Sequence, residues 1–464
     1  MLTTVEIPYS PSVELLFDQI QTLPGAVWLD SGWPHFSNER YDILSATPVF
    51  SVSPDNNNQE KSPFEHLRQE FLKISTISCE AIQLPFTHGF MGYFSYEAGI
   101  EQLSVTNHKP SVLGIPKYFW AYFNYSFVFD HYEKKAFFSK LDSLDAGIED
   151  SIRKCISQYT QKLANKVDEK ISSTGLHYED YPFELDGFEA LWNYGQYLNA
   201  FTQVKNHITD GDIYQANLTQ TFTSKFRGNS YWAYRKLREI MPAPYSCYGK
   251  FAGVEILSFS PETFLKKTGD FYLTKPIKGT RPRSTDPDID LQNAQELKSS
   301  AKDQAENLMI VDLLRNDLSK NAIRNSVIVN ELYSLKSYAN VHHLESLISA
   351  HITNAHGLEV FKDCFPGGSI TGAPKKRACE IIAELEAAPR ELYCGSIGYL
   401  SASGDFDTNI AIRTITGFNQ TMSIAGGGGI VADSTPGAEY SESLTKIQRL
   451  IDGLNDFMHN TNKS

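Results

Sequence analysis

The sequence has few cysteines, no clustered basic charge and no long apolar run, and each shortage removes a class of protein. Six cysteines lie at positions 79, 155, 247, 364, 379 and 394, with no CxxC pair among them. A disulfide scaffold or a thiolate zinc site needs denser or closer spacing. Six scattered cysteines in 464 residues therefore read as free thiols in a reducing, cytoplasmic setting. Lysine and arginine number 42 against 55 acidic residues, a formal charge of −13, with no basic block. Nucleic-acid binding rests on clustered Lys and Arg neutralising phosphates, so no nucleic-acid partner is expected. No apolar stretch reaches the roughly 18 residues of a membrane span. Met1 to Ile20 has no basic region followed by an apolar one, so neither a membrane nor a secretory route is expected. Low-complexity segments and repeats of 20–50 residues are also missing.

What is present is an ordinary globular composition, 41% hydrophobic and 21% charged, in a chain longer than one core usually fills. Tyr118 to Asp130 (YFWAYFNYSFVFD) is aromatic and β-branched, hence strand-like. TFLKK, TGD and FYLTK over 263–275 read as a hairpin, and 399–424 as a meander with turns at SGD and GFNQ. Ala301 to Asn316 and Ala438 to Met458 have helical apolar spacing. Asp145 to Lys170 is charged and helix-leaning, followed by mainly polar residues to Asp186. This places an amino-terminal region at 1–145, a helical and polar linker at 146–190 and a second region at 191–464. Strands and helices mix without a regular βαβ beat, which predicts an α+β fold with large antiparallel sheets.

Three features carry chemistry. Glu439, Glu442 and Lys446 share one helix face, and two carboxylates there repel unless a cation joins them. Oxygen-only donors of this kind suit Mg²⁺, although a lone E-x-x-E is also an ordinary solvated face. Glu306, in AENLMIVDLLRND, could add a third carboxylate from another helix. Gly426 to Gly429 follows an apolar strand, and PGGSITGAPK (366–375) is a second glycine-rich segment. Either could present backbone N–H groups to an anion or make a tight turn, and neither has P-loop spacing. Lys278 lies in KPIKGTRPR, where Lys275, Arg281 and Arg283 are expected to depress its pKa and favour the neutral, nucleophilic amine. Glu262, upstream in SPETF, could act as acid or base, and Arg413, in the strand-like NIAIRT, wants a carboxylate.

The ordered motifs SPETF, PIKGT, AENLMIVDLLRNDL, HHLES, PGGSITGAPKKRA, GSIGY, NIAIRT and GGGGIVADSTPGAEYSE resemble those of the chorismate-utilising enzymes over roughly 190–455. WLDSG, RYDI and GFMGYFSYEAG resemble, more loosely, the amino-terminal region of the aminating members. The resemblance implies a composite α+β fold with two orthogonally packed, mainly antiparallel sheets and helices outside. It also selects a branch. Members that add water carry a lysine base where this chain has Gln215. Among aminating members, anthranilate synthases read P-I-A-G-T where this chain reads PIKGT, the form of the aminodeoxychorismate synthase large subunit. In that branch the lysine adds covalently at ring C2, and ammonia then enters at C4, towards 4-aminobenzoate and folate. The alternative is an anthranilate synthase component I.

The family roles transfer onto matching positions as follows. Lys278 would be the nucleophile and Glu262 the general acid. Glu306, Glu439 and Glu442 would hold or surround Mg²⁺. His343, Ser369, Tyr393, Arg413, Gly427, Gly428, Gly429 and Lys446 would line the chorismate site, with Ser369 standing where anthranilate synthases have Thr. Ser31, Asn38, Glu39, Arg40, Tyr41, Pro244, Tyr245 and Ser246 resemble a tryptophan pocket. No G-x-C-x-G glutaminase site is visible. Ammonia is therefore expected from solution or from a glutamine amidotransferase subunit.

Overall fold

The computed structural model describes residues 1–34, 40–54, 62–74, 84–168, 183–338 and 341–461. Its framework is two large, mainly antiparallel sheets, of thirteen and ten strands among the described residues. Both sheets draw strands from either end of the chain. In the first, Val27–Asp30 pairs with Tyr245–Phe251, with Asp30 opposite Ser246. In the second, Gly89–Phe94 pairs with Ser396–Ser401.

Period-2 alternation decides what each face buries. In Gly89–Phe94, Met91 and Tyr93 join a layer with Ile43, Val128, Cys247 and Ile256 of the other sheet. Phe90 and Phe94 point the opposite way, against Phe64, Phe361 and Phe365. A third apolar cluster covers the far side of the first sheet, where Trp28, Phe129 and Phe259 meet Phe17, Tyr234 and Leu450. The order is thus helices, sheet, sheet, helices.

The sequence-predicted Tyr118 to Asp130 stretch is two strands, Tyr118–Phe123 and Tyr125–Asp130, and Asn124 between them carries the chain from the second sheet to the first. The 399–424 meander divides in the same way. Ser396–Ser401 and Phe406–Asn409 lie in one sheet, Thr414–Phe418 and Thr421–Ile430 in the other. Arg413 is consequently not in a strand. It occupies the crossing between sheets, with φ at 50°.

Two helices matter for function. Ala301–Ser319 starts on a Ser300 cap that accepts the Asp303 N–H, and it buries Ile310, Val311, Leu314 and Leu318. Pro436–Thr461 begins at a proline, suited to the first helical turn, and buries Ile447, Leu450 and Leu454. Ala146–Asp168 is a further helix, and Phe183–Leu185 and Glu189–Ala190 add to the long strand Gln215–Gly228.

Candidate active site

The long strand Gln215–Gly228 pairs with Thr421–Ile430 along most of its length, Asn217 opposite Gly429 and Thr219 opposite Gly427. The four glycines are therefore strand residues; they neither turn the chain nor adopt positive φ. Their reason is space. A Cβ on Gly428 would lie 2.9 Å from Glu439 Oε2, and one on Gly429 would collide with the Gln215 amide. Pairing with Thr414–Phe418 ends at Ile424, so 425–430 has a strand on one side only. One-sided pairing leaves alternate backbone N–H groups for another partner.

Around this strand the titratable groups form a connected chain. Lys278 Nζ donates to Glu306 Oε1 at 2.8 Å and to the Ser369 carbonyl at 3.2 Å. The Ser369 hydroxyl donates to Glu262 Oε1 at 2.6 Å. Ser369 thus touches both the amine and the acid. Gln215 is fully buried; its Nε2 lies 3.5 Å from Glu306 Oε1, and its Oε1 has no partner. On the other helix Ser434 donates to Glu439 Oε1 at 2.7 Å, Lys446 pairs with Glu442 at 2.9 Å, and Lys446 also donates to the Gly427 carbonyl.

Burial pushes the Glu262 carboxyl above its usual range, although Ser369 and Lys278 oppose it; a raised pKa favours the proton-carrying form. For Lys278 the direction differs from the sequence expectation. Burial pulls the amine down, but Glu306, then Glu262 and Glu442, outweigh it and hold the pKa above that of an ordinary lysine. The basic neighbours cannot depress it because they are spent elsewhere: Arg281 on Glu296 and Asp303, Arg283 on Asp290. Glu306 is correspondingly lowered despite burial. His343 is buried, which brings its pKa down to about 3, and its Nδ1 lies 2.9 Å from the Thr280 hydroxyl, so it is a neutral polar group. Burial lowers the Arg413 guanidinium, and Tyr393 is raised well above the usual phenol range for the same reason.

Residues 26–452 match the family of chorismate binding enzymes. The chain belongs to that family. The match extends well into the amino-terminal region, where the sequence motifs are loosest. Among curated proteins, this chorismate binding enzyme is 35% identical over 456 residues to aminodeoxychorismate synthase component 1 of Escherichia coli K12, covering 96% of each chain. It is 34% identical to aminodeoxychorismate synthase component 1 of Salmonella typhimurium, over 97% of this chain and 98% of that one. Among solved structures, anthranilate synthase component I from Streptococcus pneumoniae TIGR4 superposes with a TM-score of 0.75 at 29% identity, over 89% of this chain and 92% of that one.

The fold of this chorismate binding enzyme brings Glu262, Lys278, Glu306 and Ser369 into one hydrogen-bonded group, with Gly427 to Gly429, Glu439, Glu442 and Lys446 beside it. The three carboxylates offer an all-oxygen donor set, which fits a hard divalent cation. Each is engaged by a protein partner, and among the described residues no three carboxylate, His or Cys groups are gathered at metal-holding distances. Two supporting residues escaped sequence reasoning. Ser434 orients Glu439, and its signal was a Ser-Thr-Pro helix start. Thr280 orients His343 from two positions beyond Lys278, and nothing in the pattern marks it.

Apart from this group, a cavity of about 250 Å³ opens where the sheets meet. Ser31, Arg40, Tyr41, Pro244, Tyr245 and Ser246 line it, as do Lys266, Tyr399, Asp407 and Asn409 from the second sheet. Asn38 and Glu39 lie outside the described residues. The Ser31 hydroxyl donates to Asp42, and Arg40 pairs with Asp130.

Proposed function

We propose that the chain is the large component of an aminodeoxychorismate synthase, converting chorismate and ammonia to 4-amino-4-deoxychorismate. The single observation that carries this is Lys278: a largely enclosed lysine tied through Ser369 to a buried Glu262 whose pKa burial raises. The near-full-length likeness to two aminodeoxychorismate synthase components supports it.

In this reading Lys278, once neutral, forms a bond to ring C2 while the C4–oxygen bond breaks, and Glu262 supplies the proton that lets the hydroxyl leave as water. Ammonia then bonds at C4, and the C2–nitrogen bond returns its electrons to the lysine. Ser369 holds the acid in register. His343, Tyr393, Arg413 and the backbone at Gly427 to Gly429 enclose the substrate. Mg²⁺ held by Glu306, Glu439 and Glu442 would supply positive charge to the ring carboxylate. The cavity between the sheets would take tryptophan or a similar amino acid.

The ammonia would come from a glutamine amidotransferase subunit. The five cysteines among the described residues are buried, and burial raises Cys247, Cys364 and Cys394, the opposite of an activated thiolate. The described residues include no helix long and apolar enough to cross a membrane. We place the protein in the cytoplasm.

The decisive experiment incubates the chain with chorismate and a divalent cation but no ammonia. A deoxychorismate-sized adduct on the peptide holding Lys278 is expected, absent from Lys278→Ala. Ammonium should then release 4-amino-4-deoxychorismate. The likeness to an anthranilate synthase component I favours one rival reading, in which ammonia adds at C2 directly. Fluorescent anthranilate with no Lys278 adduct would establish the rival.

A further inference from the structure

Arg390 does not belong to the group of Lys278, Glu262 and Ser369, yet its side chain makes four hydrogen bonds that join three segments around that group. Nε and Nη2 donate to the Glu386 carboxylate at 2.9 and 2.6 Å, Nη1 donates to the Ile370 carbonyl at 2.8 Å, and Nη2 also donates to the Asn217 carbonyl at 2.6 Å. Glu386 in turn accepts the Thr219 N–H, two residues further along the long strand. The guanidinium lies 4.6 Å from the centroid of the Tyr96 ring, and the Arg390 backbone N–H donates to Glu97. Both partners belong to the amino-terminal helix Tyr96–Gln102. The Arg390 side chain is 1% exposed, and a planar fork of donors is what satisfies a carboxylate and two carbonyls at once. A buried ion pair is weak evidence for stability, since well-packed apolar side chains of similar volume often replace one without loss. The geometry gives this one another use.

Ser369 is the middle residue of the short 3-10 turn Gly368–Ile370. The Ile370 carbonyl is held from two sides, by Arg390 and by Asn217 Nδ2 at 3.2 Å, and the next carbonyl, Thr371, accepts the Asn217 N–H. A three-residue turn fixed at its end has little freedom left, and both contacts of Ser369, its carbonyl to Lys278 and its hydroxyl to Glu262, depend on how that turn sits. We propose that Arg390, with Asn217 beside it, is a positioning residue that fixes the Gly368–Ile370 turn so that Ser369 meets the amine and the acid together. This rests on the reading of Lys278, Ser369 and Glu262 as the reacting group. It also gives the amino-terminal region a part in the site, through Tyr96 and Glu97.

The test compares Arg390→Lys, Asn217→Ala, Ser369→Ala and the double variant Arg390→Lys/Ser369→Ala with the unaltered chain, using chorismate, a divalent cation and saturating ammonium. Lysine keeps the charge facing Glu386 but cannot span both carbonyls. Arg390→Lys should lower kcat about ten- to a hundredfold, the cost of misplacing a reacting group by about 1 Å, with the KM for chorismate within about twofold. Formation of the Lys278 adduct without ammonia should slow by the same factor. Asn217→Ala should show the same split, with a smaller fall in kcat. Because Arg390 acts through Ser369, the loss in the double variant should be well below the product of the two single losses. Unchanged kcat in Arg390→Lys overturns the proposal, as does a rise in KM at constant kcat. Fully multiplicative losses also overturn it, since Arg390 would then act independently of Ser369. If Arg390→Lys does not fold, Asn217→Ala, which leaves the Arg390–Glu386 pair intact, decides by the same criteria. If the unaltered chain neither forms the adduct nor turns over chorismate, the underlying functional reading fails, and that result does not depend on Arg390.

Discussion

The two halves of the candidate site are built on opposite principles. In the half formed by Glu262, Lys278 and Ser369, the acid and the serine are buried, the lysine side chain is 13% exposed, and the groups already hydrogen-bond to one another. The half formed by Glu442 and Lys446 lies at the edge, with Glu442 about half exposed and its ion pair to Lys446 worth little in water. Groups that move protons during a reaction gain from a fixed, water-poor setting, because no reorganisation is then needed. In the proposed function the edge groups admit a cation and a dianion and have to give up their partners on loading, which weak, exposed pairs do readily. Glu306 stands at the boundary, bonded to Lys278 yet placed beside the glycine strand that faces the second helix.

Removing the proton-handling half should have the largest effect. Lys278→Ala should lower kcat on the order of a thousandfold or more, measured as product by mass spectrometry, with residual amination shifted toward C2. Near-normal formation of the C4-amino product by that variant would erase the distinction between the halves. Next comes stability. The Arg390–Glu386 pair is almost fully buried, and Arg390 also donates to the Ile370 and Asn217 carbonyls beneath the site. Glu386→Ala should cost about 3–5 kcal/mol in denaturant unfolding, because it strands a buried charge. Glu442→Ala should cost under about 0.5 kcal/mol. That same Glu442→Ala, like Glu439→Ala, should nonetheless lose most activity, as should the unaltered chain in excess chelator. Full turnover in chelator would remove the metal from the exposed half.

The smallest effect sharpens the comparison through pH. In the proposed mechanism Glu262 acts protonated, and its raised pKa means that this form is lost as pH rises through it. The same mechanism uses Lys278 neutral, and its raised pKa means that this form is gained only as pH rises. The two requirements oppose, so kcat should be bell-shaped in pH. Glu262→Gln keeps a neutral hydrogen-bonding group and should leave a residual rate that only rises with pH. A bell of unchanged shape in that variant would take the acid role from Glu262.

Local patterns reached far in this chain. The hairpin over 263–275 is present as Thr263–Thr268 and Phe271–Lys275, and the two helices of the site run as their apolar spacing predicts. Where local reading failed, a change of sheet was involved. Nothing in YFWAYFNYSFVFD distinguishes one strand from two, because both sheets want the same aromatic and β-branched residues; only their stacking makes Asn124 a crossing. Arg413 is strand-like in sequence and lies at a sheet crossing for the same reason.

The sequence by itself determined the residue types of the site and their order along the chain, because acid, amine and carboxylates are identities that folding does not alter. It also determined the family, through motifs no single element explains. The charge state of Lys278 belonged to the tertiary structure. Arg281 and Arg283 are near in sequence but turn to Glu296, Asp303 and Asp290, while Glu306, 28 residues away, accepts a hydrogen bond from the amine at 2.8 Å. Coulomb interaction follows distance in space and the dielectric between groups, and only the packed fold sets either.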